Sequence, residues 1–286
     1  MVPSVDPSAP ATPRFHAWLE HQLASDLELP LLPDVAARIV AMCDDDDTEA
    51  RDVQCALEQD PSLASNFLRI ANSAMYASRD PIVSLKQAVS RLGLIATRGI
   101  ALSASVRGRV FQVPGHEASV RAIWQHSVVA AAFAREIARS LRSNVEGAFL
   151  CALLHDVGRP IVLQAALAAP ESVMRKPIPA ALLASAMDDL HAVVGGRAIR
   201  AWKLADWTAA AVEHHHRPER AAPFEDEARV TRLADLMAHW AIDGDARFEA
   251  FPMGDPVVAE LELYREQIDA LLALRPAVLE TAQALA

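Results

Sequence analysis

The stretch AFLCALLHDVGRPIVL, Ala148 to Leu163, decides how the rest of the chain is read. Its first seven residues are almost wholly apolar, so a helix over them has no face suited to water and must be buried all round. His155 and Asp156 end that helix. An unpaired carboxylate at such a place costs several kcal/mol in desolvation, so Asp156 requires a cation or hydrogen-bond donors.

Outward from this pair, other polar residues fall on apolar faces. A helix expected from Val120 to Leu141 has the stripe Ile123, Ala130, Phe133, Ile137 and Leu141, and His126 lies on it, three residues after Ile123. His191 sits beside Leu190 and Val194 on the inner side of another helix. The triplet His214 to His216 closes an apolar helix, and Asp235 stands at the edge of the stripe Val230, Leu233, Met237 and Trp240. Four helices thus offer imidazoles and carboxylates toward one interior. If these meet, they could hold one or two iron, manganese or zinc ions, with a bridging water as nucleophile toward a phosphoester. Each residue also has a plainer role. His126 and His191 suit hydrogen-bonded core histidines, Asp235 suits a pair with Arg229 or Arg232, and the triplet suits the carbonyl end of a helix.

Composition bounds the rest. The chain has 286 residues, 52% hydrophobic and 22% charged, with 10 glycines and only 8 Phe, 5 Trp and 2 Tyr, which favours an all-α protein. A net charge of -10 would repel a phosphate backbone unless basic residues cluster on one face, so no direct nucleic-acid partner is expected. Cys43, Cys55 and Cys151 form no CxxC pair and read as reduced core thiols, suiting a cytoplasmic protein. Residues 1–13, with four prolines, read as a disordered leader rather than a signal peptide. No run of 18 consecutive apolar residues is present for a membrane span.

From Arg14 the periodicity predicts short helices. Phe15, Trp18, Leu19 and Leu23 form one stripe, Pro30 and Pro33 break the chain, and Val35, Ile39 and Met42 open the next. Asp44 to Asp47 lack the glycine of a calcium loop and read as a helix entrance capped by Asp47 or Thr48. Asp60 before Pro61 is a second cap. Asn72 and Ser73 read as structural, satisfying backbone groups where a helix turns. Gly195 and Gly196 suit close helix packing, and no phosphate-binding loop or nucleophile elbow is present.

Six strings in order, LPLLPDVAARIV, DPSLASNFLRIANSAMY (Asp60 to Tyr76), IVSLKQAVSRLGL (Ile82 to Leu94), WQHSVVAAAFAREIA (Trp124 to Ala138), AFLCALLHDVGRPIVL and LHAVVGGRAIRAWKLADWTAAAVEHHHRP (Leu190 to Pro218), resemble the HDOD domain, an HD-related output domain of bacterial signalling. The resemblance covers roughly residues 29 to 220. It implies an all-helical fold related to HD phosphohydrolases and to the HD-GYP hydrolases of cyclic di-GMP. It also implies that His126, His155, Asp156, His191, His215, His216 and Asp235 occupy the positions of metal ligands. Two departures stand out: Arg159 replaces the lysine that follows the HD pair in those hydrolases, and the glycine-tyrosine-proline loop is missing after the paired histidines. Arg159 keeps the charge but not the shape of a lysine, and reads as a phosphate contact, a counter-charge at a helix C-terminus or a surface ion pair.

The expected organisation is a leader (1–13), an N-terminal helical subdomain (14–113) packed on an HD-like helical bundle (114–243), and a C-terminal helical extension (244–286). In the extension, Leu261, Tyr264, Ile268, Leu271 and Leu272 form a stripe that packs on its own chain or on a second copy as a homodimer, with Pro276 breaking any long coiled coil. The function expected is that of a stand-alone regulatory protein of bacterial signal transduction that binds a protein partner or a small ligand. The alternative is a metal-dependent phosphohydrolase acting on a nucleotide or other phosphoester.

Overall fold

The structure is a computed structural model and describes residues 11–25, 34–43, 45, 47–73, 76, 81–244 and 254–285. Among them there is no strand. The first helices are α1 (Ala11–Ser25), α2 (Asp34–Cys43), α3 (Ala50–Leu57), α4 (Pro61–Ala71) and α5 (Leu85–Arg109). Next come α6 (Glu117–Leu141), α7 (Val145–Leu154), α8 (Gly158–Leu167), α9 (Ala180–Ala201), α10 (Asp206–His214) and α11 (Glu225–Asp243). Last are α12 (Pro256–Glu260), α13 (Arg265–Ala273) and α14 (Arg275–Leu285). The fold is all-α, as the composition and periodicity imply.

Local chemistry sets several helix ends. The Asp60 carboxylate accepts from the N–H groups of Ser62 and Leu63 at 3.0 Å, with Pro61 as the first residue of α4. The cap of α3 is Glu49 rather than Asp47 or Thr48. Asp45 draws the Asp47 N–H into a turn, and the Asp52 carboxylate accepts from the Glu49 N–H. Asn72 clamps the end of α4 to the approach to α5, donating to the Leu68 and Ile82 carbonyls and accepting from the Ile82 N–H at 2.8 Å. Within α5 the chain kinks at Gly93, whose φ of 78° and ψ of 171° suit a residue without Cβ.

Helices α2 to α4 pack on α5, while α6 to α11 pack together as a bundle. Helix α1 begins at Ala11, three residues before the expected boundary, because Pro13 is tolerated in a first turn. It lies on α8 and α9: Arg14 donates to the Ser172 carbonyl at 2.6 Å, and Arg197 reaches back to the Leu23 and Ala24 carbonyls. The rest of the expected leader, residues 1–10, and the break at Pro30 and Pro33 lie outside the described residues.

The centre of the bundle is α7, buried from Phe149 to Leu154, with α6 against it and buried from His126 through Arg135. The stretch Val145–Leu167 is long and apolar enough by composition to cross a membrane, yet it folds as α7 and α8 with 78% of its apolar window inside the protein. Glycines bring the next helices close. A Cβ on Gly158 would lie 2.8 Å from the Gly195 amide nitrogen and would strike the His191 carbonyl, and one on Gly196 would lie 2.7 Å from Glu213 Cβ. The glycine pair therefore serves packing, seating α9 against α8 and α10.

The C-terminal helices pack on their own chain, against α6 and α11, through Ile268, Leu271, Val278 and Ala282. Tyr264 is 73% exposed and leaves the expected stripe, since it caps α13 in extended backbone and the helical period starts only at Arg265. None of the three cysteines forms a disulfide, but only Cys151 is a core thiol: Cys43 is half-buried and Cys55 is exposed, because α3 turns that face outward.

Candidate metal centre

Five elements deliver the donors: α6 (His126), the α7 to α8 junction (His155, Asp156), α9 (His191), the end of α10 (His215, His216) and α11 (Asp235). All but His216 are buried. Three imidazoles share one device. Nδ1 of His155 lies 2.6 Å from the Ala152 carbonyl, that of His191 2.8 Å from Met187 O and that of His215 2.8 Å from Val212 O. A carbonyl can only accept, so each Nδ1 carries a proton and each ring turns its Nε2 inward, as a lone pair wherever the ring is neutral. Helix carbonyls thereby fix tautomer and orientation, as outer partners do for metal-binding histidines.

The inward atoms crowd together. His191 Nε2 is 3.4 Å from His215 Nε2, 3.0 Å from His216 Nε2 and 3.4 Å from Asp156 Oδ1. His126 Nε2 meets Asp235 Oδ1 at 2.9 Å, and His155 Nε2 is 3.4 Å from that oxygen and 3.7 Å from Asp156 Oδ2. Neither contact has hydrogen-bond geometry, so His155 Nε2 is a buried nitrogen that faces two carboxylates without a well-formed hydrogen bond to either. Three overlapping sets have donor atoms within 4.8 Å of one another: His191, His215 and His216; His126, His155 and Asp235; and His155, Asp156 and His215. A tetrahedral ion with bonds of about 2.0–2.1 Å needs donor separations of roughly 3.3–3.4 Å, the spacing that recurs here. The donor set fits a divalent metal, and because each Nε2 has one lone pair, His155 and His215 each serve one ion at a time.

Electrostatics agree. Burial raises the cost of ionising Asp156 and Asp235, but His155 and Arg159 around the first and His126 and His155 around the second hold both carboxyls well below their usual range. Burial opposes charge on His155 too, yet Asp156 and Asp235 outweigh it and raise that imidazole to about 9. The centre thus demands positive charge at His155 Nε2, from a proton or a metal. Burial, with neighbouring imidazoles, pushes His215 well below its ordinary value and His216 down to about 4, and lowers His191, so these stay neutral and ready to ligate.

All seven residues that the sequence singled out as ligands converge. His214 does not, lining a separate depression with Arg200, Asp206 and Arg220. Asp235 pairs with histidines rather than with Arg229, which is held by Asp226 and Glu260, or Arg232, which is held by Asp255. Arg159 is the second residue of α8, not a helix C-terminal counter-charge, and lies between Asp156 at 2.8 Å and Asp188 at 2.6 Å. Two residues escaped the sequence reading. His239, exposed, reaches Asp235 at 3.5 Å and lies with its ring centre 4.4 Å from that of His126, the planes tilted by 44°; its place four residues after Asp235 on one helix face was the available signal. Asp188, three residues before His191, carried the same signal.

The solved structure of a Shewanella amazonensis SB2B protein named as a metal-dependent phosphohydrolase is 21% identical, covering 95% of this chain and 99% of its own, with a TM-score of 0.76. A Marinobacter aquaeolei VT8 protein named for signal transduction is 20% identical, covering 100% of this chain and 68% of its own, at 0.65. An HDOD domain protein of unknown function from Geobacter sulfurreducens is 23% identical, covering 94% and 99%, at 0.61. These likenesses establish the shared fold. A protein of Treponema pallidum (strain Nichols) is 23% identical over 236 residues, 79% of this chain, which spans 45% of that relative's length. The HDOD domain family model matches residues 29–218, about two thirds of the chain, and with the helical bundle and its ordered motifs this places the protein in the HDOD domain family.

Proposed function

We propose that this protein is a cytoplasmic signalling component whose HD-type centre binds one or two divalent metal ions, iron, manganese or zinc, and hydrolyses a phosphoester. The observation that carries this reading is the orphaned Nε2 of His155, buried between two ionised carboxylates and four further imidazoles gathered at the same space. His126, His155, Asp156, His191, His215, His216 and Asp235 would hold the ions. Bound there, a divalent ion would supply Lewis acidity toward water and a phosphoryl oxygen. The chain's own residues set the stage: helix carbonyls lock the imidazoles, Arg159 fixes one oxygen of Asp156, and exposed His216 and His239 mark the side open to solvent. Turnover of bis(p-nitrophenyl) phosphate and a nucleotide panel by the metal-loaded chain, lost in Asp156→Asn with the fold retained, is the expected result; a metal-loaded wild type inert toward the whole panel overturns it.

One observation favours a second reading. Arg159, the residue placed to steady a substrate phosphate, is already engaged by Asp156 and Asp188. If it stays so, the centre is a regulatory metal site, and the protein acts by binding a partner protein, a small ligand or a second copy of itself. Partner binding unchanged in Asp156→Asn would support that version.

A further inference from the structure

At the edge of the metal centre, Arg159 is the second residue of α8, where the positive end of the helix dipole disfavours a cation. Two carboxylates offset this. Asp156 Oδ2 lies 2.8 Å from the Arg159 Nε but out of line for a hydrogen bond, so that buried N–H has no well-formed partner. Nη1 donates to Asp188 Oδ1 at 2.6 Å, and this bond fixes the direction of the guanidinium. The two anchors differ in kind. The Asp156 carboxylate is buried and faces the histidines, whereas that of Asp188 is 64% exposed on α9. Asp188 nonetheless touches the centre twice: its carboxylate holds Arg159, and its backbone carbonyl lies 3.0 Å from Nδ1 of His191.

We propose that Asp188 is a gate on Arg159: its carboxylate competes with a phosphate group for the guanidinium and thereby sets the affinity of the centre for phosphate-bearing ligands. The inference rests on the reading of the centre as a phosphoester site. A guanidinium presents a planar fork of N–H donors that matches phosphate oxygens in pairs. Among the described residues Arg159 makes its hydrogen bond to Asp188 alone, so the fork can exchange one exposed acceptor for a pair of phosphate oxygens. An exposed ion pair holds weakly and a charge-assisted, paired contact holds more strongly, so an arriving phosphate displaces Asp188. A lysine, a point charge without the fork, would lack this exchange. Asp188 acts through Arg159 and is a positioning residue.

The test uses the full chain, once in EDTA and once loaded with manganese, titrated calorimetrically with inorganic phosphate. Asp188→Ala, at an exposed helical position, should tighten phosphate binding about threefold. Asp188→Glu keeps a carboxylate within reach of Arg159 and should bind as wild type does. Asp189→Ala removes the same charge one residue away, from a side chain whose contact is Ser185, and should also leave the affinity unchanged. In the Arg159→Gln background, Asp188→Ala should have no effect. Equal effects of Asp188→Ala and Asp189→Ala, tightening that persists in the Arg159→Gln background, or no tightening in either metal state overturns the gate. The hydrolytic reading fails separately: a chain that shows the expected pattern yet turns over no phosphoester keeps the gate and loses the hydrolase.

Discussion

Replacing Gly158 by alanine should damage both the fold and the metal centre through one clash. A Cβ there would stand 2.8 Å from the Gly195 nitrogen and 2.8 Å from the His191 carbonyl carbon, whereas ordinary contact begins at 3.4 Å. Both neighbours are backbone, so no side chain can swing aside; α8 and α9 must part by more than about half an ångström. Overpacking of this kind costs about 3 kcal/mol, and in a chain of this size that lowers the thermal midpoint by roughly 5 °C. His191 rides on the displaced segment, and its Nε2 contacts with Asp156, His215 and His216, at 3.0–3.4 Å, must lengthen. Thermal unfolding of Gly158→Ala beside wild type, with metal content measured on the same samples, should show a lowered midpoint and reduced metal. A variant that melts with wild type and carries the same metal would refute the inferred contact.

Other expectations follow from single features. In metal-free chain, His155, raised to about 9, adds stability that is complete below 6.5 and is lost as pH climbs through about 9. Asp156 and Asp235, held low, add stability above their ordinary 3.8 that is lost as pH falls through their depressed values. Urea unfolding in EDTA should therefore show stability declining from neutral pH toward pH 9; a rise over that interval contradicts the assignment. Asn72→Ala should cost about 1–3 kcal/mol in the same assay, since it leaves the Ile82 backbone groups without their partner; an unchanged midpoint would remove the clamp. Under native conditions a thiol reagent should modify Cys55 rapidly and leave Cys151, buried with its thiol pKa pushed up, untouched until unfolding; equal rates would contradict the packing.

The centre was legible because its residues break a strong pattern. His155 and Asp156 end a helix with no polar face, and His126 and His191 sit where apolar side chains belong, so each is conspicuous before any contact is known. The Asp60 cap and the packing role of Gly195 and Gly196 could be read for the same reason, as local chemistry with few alternatives. What escaped depends on tertiary direction. His239 and Asp188 lie on half-polar faces where histidine and aspartate are unremarkable; the approach of α8 gives Asp188 its partner and that of α6 sets His126 against His239, while the pairing of His239 with Asp235 lies within α11. Arg159 was readable as a charge but not as the bridge between two carboxylates. Tyr264 and Cys55 were misplaced because periodicity was extended across a cap in one case and the outward face of a short helix was taken as inward in the other.

Metal content bears most directly on the central claim. Inductively coupled plasma mass spectrometry on chain prepared without a histidine tag or added metal should find near-stoichiometric iron, manganese or zinc in wild type, lost in His155→Ala with Asp156→Ala. Wild type that is metal-free, and stays so after incubation with each of those ions, would contradict it.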